Sequence, residues 1–591
     1  MTQANLARIK AHLQNIYEDS IKVEIAYQGI VELLVQQSKS NEQRPKKWDQ
    51  KDALLITYGD SFLQDGEMPL VTLQRFLDEY VKDSINCVHI LPFFPYSSDD
   101  GFSVIDYLMV DPDLGDWTDI AQLNKHYDLM FDLVINHVSR ESLWFTDYKA
   151  GRAPYTDFFI DVAGDPDLSQ VTRPRNTPLL VPAYTHHGRK KVWATFSADQ
   201  IDLNFANPLV LVKMLQVLMF YVQQGSRIIR LDAIAFLWKK IGTPCVHLLQ
   251  THEAVKLMRS LLDLVAPDVI LLTETNVPHQ ENLSYFGESD EAHMVYQFSL
   301  APLILHALHR GDGSYLTDWA SHLEPPPDNC TFLNFTASHD GVGLRPVEGI
   351  LPQREVEDLV NNMHRLGGFV SMKSNPDGTQ SPYEINITYF SALRETHNSN
   401  GPDQWQVERF ICSQNMMMCL QGVPAFYVHS LTATPNDRDG VEKTGRTRSI
   451  NRRKWDYSYL QALIGSERSS NAEVIKRLTN LIKQRKKHKA FDPHTPQRVV
   501  DLGSNFFILW RAGDGVKFPL LAVHNLTAEI QPLDLTLIDG FTAHKAWVDL
   551  LAAGQIISLQ SSKAMLQPYQ SMWLMPQEID GESALWAIST N

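Results

Sequence analysis

Ile228-Ile-Arg-Leu-Asp232 is a short apolar run that ends in a carboxylate, and two later runs share this design. They are Leu271-Leu-Thr-Glu-Thr275 and Asn334-Phe-Thr-Ala-Ser-His-Asp340. In the retaining cleavage of a glycosidic bond, one carboxylate attacks carbon while a second, protonated carboxyl group gives its proton to the leaving oxygen. The three runs supply Asp232, Glu274 and Asp340 for such chemistry, so the pattern predicts an enzyme.

Eight short apolar runs alternate with helical patterns, which is typical of a parallel sheet built from βα repeats. Eight such strands predict a (β/α)8 TIM barrel. The runs are 54–58, 88–93, 129–135, 227–231, 269–273, 294–298, 331–336 and 423–428. Polar residues follow the strand ends, where such barrels assemble their active sites; they are Asp60, Asn136, His137, Asp232, Glu274, His339, Asp340 and His429.

Two connections are much longer than a common loop of about 4–6 residues. The first predicts a subdomain inserted after strand 3, and the second predicts a long loop on the catalytic face. Alternating strands after about residue 492 predict a C-terminal antiparallel β domain. The predicted segments are an N-terminal helical extension (1–50), the first part of the barrel (51–137), the inserted subdomain (138–205), the second part of the barrel (206–491, with the long loop 341–405), the C-terminal β domain (492–577) and a tail (578–591).

Composition narrows the function classes. The 591 residues have a formal net charge of -16, which repels nucleic acid and anionic lipid at long range. The N-terminus lacks the apolar core of a signal peptide, and the apolar stretch 209–222 is too short to span a bilayer. The five scattered cysteines are never closely paired, as expected of reduced thiols. We therefore predict a cytoplasmic enzyme that binds neither nucleic acid nor membrane, and a homodimer is left open.

Four ordered segments closely resemble the signature regions of the α-amylase superfamily of glycoside hydrolases. They are Asp132-Leu-Val-Ile-Asn136-His137, Arg230-Leu-Asp232-Ala, Glu274 and His339-Asp340. Within that superfamily, several further strings are similar to the sucrose phosphorylase group. These are Leu55-Ile-Thr-Tyr-Gly-Asp60, His89-Ile-Leu-Pro-Phe-Phe, Asp100-Gly-Phe-Ser-Val-Ile-Asp106, Arg173-Pro-Arg175 and Ser449-Ile-Asn-Arg452.

The resemblance implies a double displacement on a small α-glucoside. Asp232 attacks the anomeric carbon, Glu274 protonates the departing oxygen, and inorganic phosphate takes the leaving group's place to give α-glucose 1-phosphate. Asp340 grips sugar hydroxyls. By the same resemblance, further residues contact the substrate: His137 and His339 at glucose hydroxyls, Asp60 with Arg448 at the far end of the sugar pocket, Phe196 and Phe236 as apolar walls, and Arg175 at phosphate.

Several of these side chains also have a purely structural interpretation. His137 and His339 fit hydrogen-bonded core residues, Phe196 and Phe236 fit the apolar core, and Arg175 fits a solvated loop residue. Arg230 lies two residues before Asp232 and so on the same strand face, where its charge keeps the nucleophile ionised. Glu274 is expected in a drier setting that keeps its proton longer. The phosphorylase group does not generally carry the calcium of amylases, and we see no dense run of acidic ligands, so we predict no metal and no cofactor.

The acceptor side departs from sucrose phosphorylases, which typically carry a His two residues after the acid/base Glu and a Gln after the loop tyrosine. Here Asn276 follows Glu274, and Glu384 follows Tyr383. Both segments look more like the glucosylglycerate phosphorylases of the same group, so glycerate is the preferred acceptor. Glycerate calls for a cation, either Arg175 or Lys373, whereas Glu384 would repel it unless Glu384 is paired.

Alternatives remain on the same barrel: a sucrose phosphorylase, a glucosylglycerol phosphorylase, and a hydrolase or transglucosidase that is indifferent to phosphate. A non-catalytic scaffold is a further alternative. Such scaffolds usually lose a carboxylate of the triad or gain a membrane segment, and this sequence shows neither change.

Overall fold

Eight parallel strands close into a barrel in the computed structural model, which describes residues 2–36, 46–374, 379–399, 401–558 and 562–577. Each strand pairs with its neighbour in the chain, and the last strand pairs with the first. The barrel strands are β1 (Leu54–Thr57), β2 (Cys87–Ile90), β3 (Asp128–Val134), β4 (Ser226–Asp232), β5 (Ile270–Thr273), β6 (Met294–Tyr296), β7 (Thr331–Phe335) and β8 (Val423–Tyr427). The predicted barrel fold is confirmed.

The strands are buried on both faces, since helices surround the barrel and side chains fill its interior. One helix of this outer layer follows each strand: Pro69–Phe76, Trp117–Asn124, Pro208–Gln223, Leu249–Val265, His279–Leu283, Leu300–Arg310, Gln406–Cys419 and Ser470–Arg485. Shorter or accessory helices are Leu143–Ala150, Ser314–Ser321, Gln353–Arg365, Tyr389–Ala392, Val428–Leu431, Arg438–Thr444 and Tyr457–Ile464.

The apolar stretch 209–222 lies in the barrel helix Pro208–Gln223. Asn207 caps its N-terminus by accepting a hydrogen bond from the Leu209 N–H, and Pro208 occupies a first-turn position where no amide donor is needed. Across the described ranges, no helix combines the length and apolarity needed to traverse a bilayer.

The N-terminal helices Gln3–Ile16 and Ser20–Gln36 pack against the barrel helices Leu249–Val265 and Pro208–Gln223, respectively. Their apolar sides join the main hydrophobic core through residues such as Leu13 and Ile30. Tyr17 anchors the hairpin by donating a hydrogen bond to the Phe205 carbonyl over 3.0 Å. The segment therefore extends the barrel core, although its sequence alone indicated a peripheral extension.

The inserted subdomain contains a hairpin that pairs Leu180–Thr185 with Gly188–Trp193. At the two ends of the insertion, His137–Ser139 pairs with Gln200–Asp202 as a two-stranded antiparallel ribbon. The long loop on the catalytic face forms a three-stranded sheet from Val342–Gly343, Phe369–Ser374 and Gln380–Asn386. Residues 375–378 of this loop lie outside the described residues. Residues 37–45 of the N-terminal extension and the predicted tail also lie outside them.

The C-terminal domain has its own apolar core and a six-stranded antiparallel sheet with a separate two-stranded ribbon, as predicted. The sheet strands are Gln497–Val500, Phe506–Arg511, Leu520–Asn525, Ser571–Pro576, Ala546–Asp549 and Gln555–Ser558, and the ribbon strands are Gln531–Asp534 and Lys563–Leu566. Buried Arg511 joins the domain to the barrel by donating to the Cys419 carbonyl over 2.8 Å. The segment limits given above from sequence stay predictions.

Candidate active site

A cavity of about 500 Å³, counting its open mouth, lies at the carboxyl ends of the barrel strands. Most of the predicted site residues line it together, although they come from strand ends and loops distant in the chain. The lining residues are Asp99, Phe102, His137, Arg175, Phe196, Gln200, Asp232, Ala233, Glu274, Asn276, His339, Asp340, Tyr383 and Arg448.

Arg230 lies beneath this cavity and connects two of its carboxylates. The strand register places Arg230 opposite Asp132 on β3 and Leu272 on β5. Its guanidinium forms ion pairs with Asp132 and with Asp232, the latter over 2.7 Å, and its other nitrogen lies 4.0 Å from Glu274. Burial lowers the pKa of Arg230, but the surrounding carboxylates, Asp132 first, raise it well above the usual range. Arg230 is therefore a permanent cation between the two reacting carboxylates.

Burial raises the pKa of Asp232 to about 7 against the opposing charge of Arg230. Burial also raises the pKa of Glu274 to about 7, again with Arg230 opposing and the negative charge of Asp232 adding to the rise. The side chains of Asp232 and Glu274 are 11% and 16% exposed, so the prediction that Glu274 sits in the drier setting is wrong. The difference between them is the closer contact of Arg230 with Asp232, which favours the ionised form of Asp232 and leaves a shared proton on Glu274.

Ala233 follows the nucleophile candidate in a left-handed conformation with φ of 52°. This conformation is uncommon for residues other than glycine and tends to occur at functional sites. It turns the Ala233 N–H toward Glu274, which accepts its hydrogen bond over 3.1 Å. The backbone after β4 thus orients the side chain that ends β5.

Asp340 is held as an anion. Burial alone would raise its pKa, but the Arg448 guanidinium, 2.5 Å away, and then His339 and Arg452 hold the pKa of Asp340 well below its usual range. Three carboxylates at one cavity consequently have two electrostatic settings. Asp340 stays charged, whereas Asp232 and Glu274 share a proton near neutral pH.

The two histidines are buried and neutral. Burial lowers the pKa of His137, whose Nε2 donates a hydrogen bond to the Phe102 carbonyl over 2.8 Å. Burial likewise holds the pKa of His339 well below its usual value, and its ring stacks on Phe102 with ring centres 4.8 Å apart. Neutral imidazoles in a cavity wall can exchange hydrogen bonds with sugar hydroxyls.

Phe196 lines the cavity, with its ring centre 5.3 Å from that of His137. Phe236 stands perpendicular to Phe196 behind this wall and is not among the lining residues. The apolar wall predicted from two phenylalanines therefore consists of Phe196, while Phe236 belongs to the core beneath it.

Asp60 does not line the cavity, contrary to its predicted place there with Arg448. Its carboxylate forms an ion pair with Lys454, and Arg448 faces Asp340 instead. Asp99 lines the cavity on that side, while the adjacent Asp100 pairs with Arg452 over 2.6 Å. The sequence signal that could have pointed to Asp99 is the triplet Asp99-Asp100-Gly101 after β2, because consecutive acids before a glycine indicate a tight turn at a strand end.

That turn requires its glycine. Gly101 has φ of 107°, and a Cβ there would lie 2.5 Å from the Pro92 carbonyl oxygen. The close approach of the two backbone segments sets the position of Asp99 at the cavity edge.

Glu384 is fully buried and does not face the cavity, because it accepts two hydrogen bonds from Arg448, over 3.0 Å and 2.6 Å. This pairing removes the repulsion expected between Glu384 and an anionic acceptor. Lys373, one of the two cations considered for that acceptor, pairs instead with Glu348 over 2.7 Å and does not line the cavity. Arg175 does line it, with its guanidinium 5.9 Å from the ring centre of Tyr383.

Lys239 is a site-supporting residue that sequence reasoning missed. Its side chain is 3% exposed, and its ammonium group donates to Asn136 over 2.5 Å and contacts Asp202 over 2.6 Å. Asn136 in turn lies 3.3 Å from the Nδ1 of His137. Lys239 thereby connects the inserted subdomain, the end of β3 and the segment after the nucleophile. Nothing in the sequence separates it from its neighbour Lys240.

Among the residues that the structure describes, no three His, Cys, Asp or Glu side chains cluster as metal ligands would. The oxygens of Asn136 and Asp202 are bonded to the Lys239 ammonium group.

The barrel with three carboxylates at its strand ends defines an enzyme of the glycoside-cleaving class. The family model "Alpha amylase, catalytic domain" matches residues 74–338. A glucosylglycerate phosphorylase from Escherichia coli K12 is 41% identical over 570 residues, covering 96% of this chain and 99% of that protein. Another glucosylglycerate phosphorylase, from Spirochaeta thermophila, is 46% identical over 81% of each chain.

The crystal structure of sucrose 6F-phosphate phosphorylase from Thermoanaerobacter thermosaccharolyticum has the same fold, with a TM-score of 0.71 and 24% identity over 89% of this chain and 99% of that one. The chain belongs to the alpha-amylase family, in the group that contains these phosphorylases. The resemblance seen in the sequence motifs is confirmed.

Proposed function

We propose that this protein is a retaining α-glucoside phosphorylase that converts glucosylglycerate and inorganic phosphate into α-D-glucose 1-phosphate and glycerate. The observation that carries the proposal is one cavity lined by Asp232, Glu274 and Arg175. Arg230 connects the two carboxylates beneath it. The identity of 41% and 46% to two glucosylglycerate phosphorylases supports the choice of acceptor.

In the first step, the Asp232 carboxylate attacks the anomeric carbon and forms a C–O bond to it. The bond from that carbon to the glyceryl oxygen breaks, and the Glu274 carboxyl group gives its proton to the departing oxygen. Arg230 favours ionised Asp232 by its 2.7 Å contact, and the proton of the pair resides on Glu274. The products of this step are glycerate and a glucosyl ester of Asp232.

In the second step, a phosphate oxygen attacks the same carbon and the bond to Asp232 breaks. The Glu274 carboxylate takes the proton of the attacking phosphate, so the acid of the first step becomes the base of the second. Two inversions give net retention. Asp340, which Arg448 keeps ionised, holds sugar hydroxyls and stabilises the positive charge that develops on the ring.

The remaining cavity residues position the glucosyl unit. We assign His137, His339 and Asp99 to sugar hydroxyls, Phe196 to one face of the ring, and Arg175 to phosphate. Guanidinium groups suit phosphate because their N–H groups match its oxygens in pairs. Tyr383 and Asn276 form the acceptor side of the cavity.

The test is incubation of the purified protein with glucosylglycerate, sucrose or glucosylglycerol, each with and without phosphate. We expect phosphate-dependent release of α-glucose 1-phosphate, fastest from glucosylglycerate. Release of free glucose at the same rate without phosphate would identify a hydrolase. Faster phosphorolysis of sucrose or glucosylglycerol would reassign the acceptor.

We further propose that the protein is cytoplasmic and forms a homodimer. All five cysteines are buried, and Cys245, Cys330, Cys412 and Cys419 are free thiols, which suits a reducing compartment. Light scattering coupled to size-exclusion chromatography measures the oligomeric state, and cell fractionation measures the location.

A further inference from the structure

The cations around the active-site cavity are unequally available to an anionic ligand. Arg230 is occupied by Asp132 and Asp232, and Arg452 by Asp100. Arg448 is occupied by Asp340 and Glu384. Within the described residues, Arg175 lines the cavity with no carboxylate at ion-pair distance, and its guanidinium faces the ring of Tyr383.

Glu384 pairs with Arg448 and so makes Arg448 unavailable to an anionic ligand. Tyr383 and Glu384 are adjacent on the strand Gln380–Asn386, so their side chains point to opposite faces. Tyr383 lines the cavity, and Glu384 is fully buried against Arg448, whose Nε and Nη2 both donate to it. Arg448 itself lines the cavity and would otherwise offer those two N–H groups to a ligand.

The backbone makes room for this carboxylate. A Cβ at Gly341 would lie 2.5 Å from the Cγ of Glu384 and 2.4 Å from the Ile385 carbonyl oxygen. Any larger residue at 341 would therefore displace Glu384 from Arg448. The close fit indicates that the pair is a built part of the site and not an incidental contact.

In the proposed reaction, glycerate leaves the glucosyl group and phosphate accepts it. Both ligands are anions, since glycerate carries a carboxylate. We propose that Glu384 is a specificity-determining residue that withholds Arg448 from these anions, so that the glycerate carboxylate and phosphate bind in turn at the single guanidinium of Arg175. This inference rests on the proposed function.

The cavity then favours anionic acceptors through a single position, the guanidinium of Arg175. A guanidinium–anion hydrogen bond typically changes affinity by about tenfold to a hundredfold. A neutral acceptor such as glycerol gains nothing from Arg175. The ratio of transfer to anionic and to neutral acceptors therefore reports on the anion site separately from the catalytic carboxylates.

The experiment uses α-glucosyl fluoride as a donor without an anionic leaving sugar or acid. Asp232 displaces fluoride to form the glucosyl ester, and D-glycerate, phosphate or glycerol then accepts the glucosyl group with loss of its proton to Glu274. Initial rates give the ratios of glycerate to glycerol and of phosphate to glycerol. Wild type, Arg175→Gln, Glu384→Gln and the double variant are compared, with Lys373→Met as a control cation outside the cavity.

We expect Arg175→Gln to lower both ratios by about tenfold or more, because both anions lose the same partner. Glu384→Gln should raise both ratios, and the double variant should recover part of the loss as Arg448 becomes available. Lys373→Met should leave both ratios unchanged. Should Glu384→Gln fail to fold, Glu384→Asp, whose carboxylate is one methylene farther from Arg448, should shift the ratios in the same direction.

The inference is overturned if Arg175→Gln lowers only one ratio, or if the Glu384 variants lower the ratios or leave them within twofold of wild type. The proposed function has its own separate outcome. A wild-type protein that transfers glucose from the fluoride to water or glycerol, but to neither phosphate nor glycerate, refutes the phosphorylase itself.

Discussion

Replacing Lys239 by Met removes a buried charge while keeping the length of the side chain. Loss of one member of a buried ion pair typically costs about 3–5 kcal/mol, because the other charge remains buried without its partner. Asp202 keeps hydrogen bonds from the Thr195 N–H over 2.9 Å and the Thr195 hydroxyl over 2.6 Å. We therefore expect the low end, about 3 kcal/mol.

An unfolding entropy of about 2 cal/mol/K per residue converts this loss to a fall in Tm of about 2.5 °C for a chain of this size. Calorimetry resolves such a shift, and urea unfolding gives the free energy directly. The expected catalytic effect arises at Asn136, because this side chain loses the hydrogen bond from Lys239 that orients it toward His137. We expect kcat/KM for the glucosyl donor to fall by about tenfold, the value of one hydrogen bond.

Lys454→Met is the matched control, because Lys454 also pairs with an aspartate, Asp60. In that pair the lysine and aspartate side chains are 50% and 21% exposed, so the loss should be less than about 1 kcal/mol. Equal shifts in Tm for the two variants would refute the reasoning from burial. Unchanged kcat/KM in Lys239→Met would refute the positioning of His137 through Asn136.

Further predictions concern the carboxylates. Asp232→Asn should lower turnover by about four orders of magnitude without lowering Tm, and a fall of less than tenfold would remove Asp232 as nucleophile. Because the pKa of Glu274 is raised from 4.5 to about 7, the folded chain keeps a proton between those pH values that the unfolded chain releases. The wild type should thus lose stability as pH rises through this window. The free energy of unfolding of Glu274→Gln, measured relative to wild type by urea unfolding, should therefore grow by about 3 kcal/mol between pH 4 and pH 8. The same difference at both pH values would contradict the raised pKa. Asp99→Asn should lower kcat/KM by at least about tenfold, whereas Asp60→Asn should stay within twofold, and the reverse order would restore Asp60 to the sugar pocket.

The catalytic carboxylates were accessible from the sequence because each is the local end of an apolar run. A β-branched stretch such as Ile228–Leu231 forms a strand through its own side-chain pattern, and parallel strands of a barrel bring their carboxyl ends to one face. The sequence alone therefore predicts that Asp232, Glu274 and Asp340 lie close together. Arg230 followed as well, since residues two apart on a strand share a face.

The charge partners were not accessible in this way. Asp60 and Asp99 both follow barrel strands, and only the folded loops show that Asp60 meets Lys454 while Asp99 reaches the cavity. Glu384 and Arg448 are 64 positions apart in the chain. Their pairing depends on how the long loop packs over β8.

The sequence by itself determined the class of fold, the strand that carries each reacting carboxylate and the resemblance to a phosphorylase group, because these depend on local periodicity and short motifs. Only the tertiary structure decided which charges neutralise one another: Glu384 with Arg448, Lys239 with Asp202, and Arg175 with no carboxylate among the described residues. The physical reason is that electrostatic energy depends on distance and burial, and both are set by the closing of the barrel and the folding of its loops.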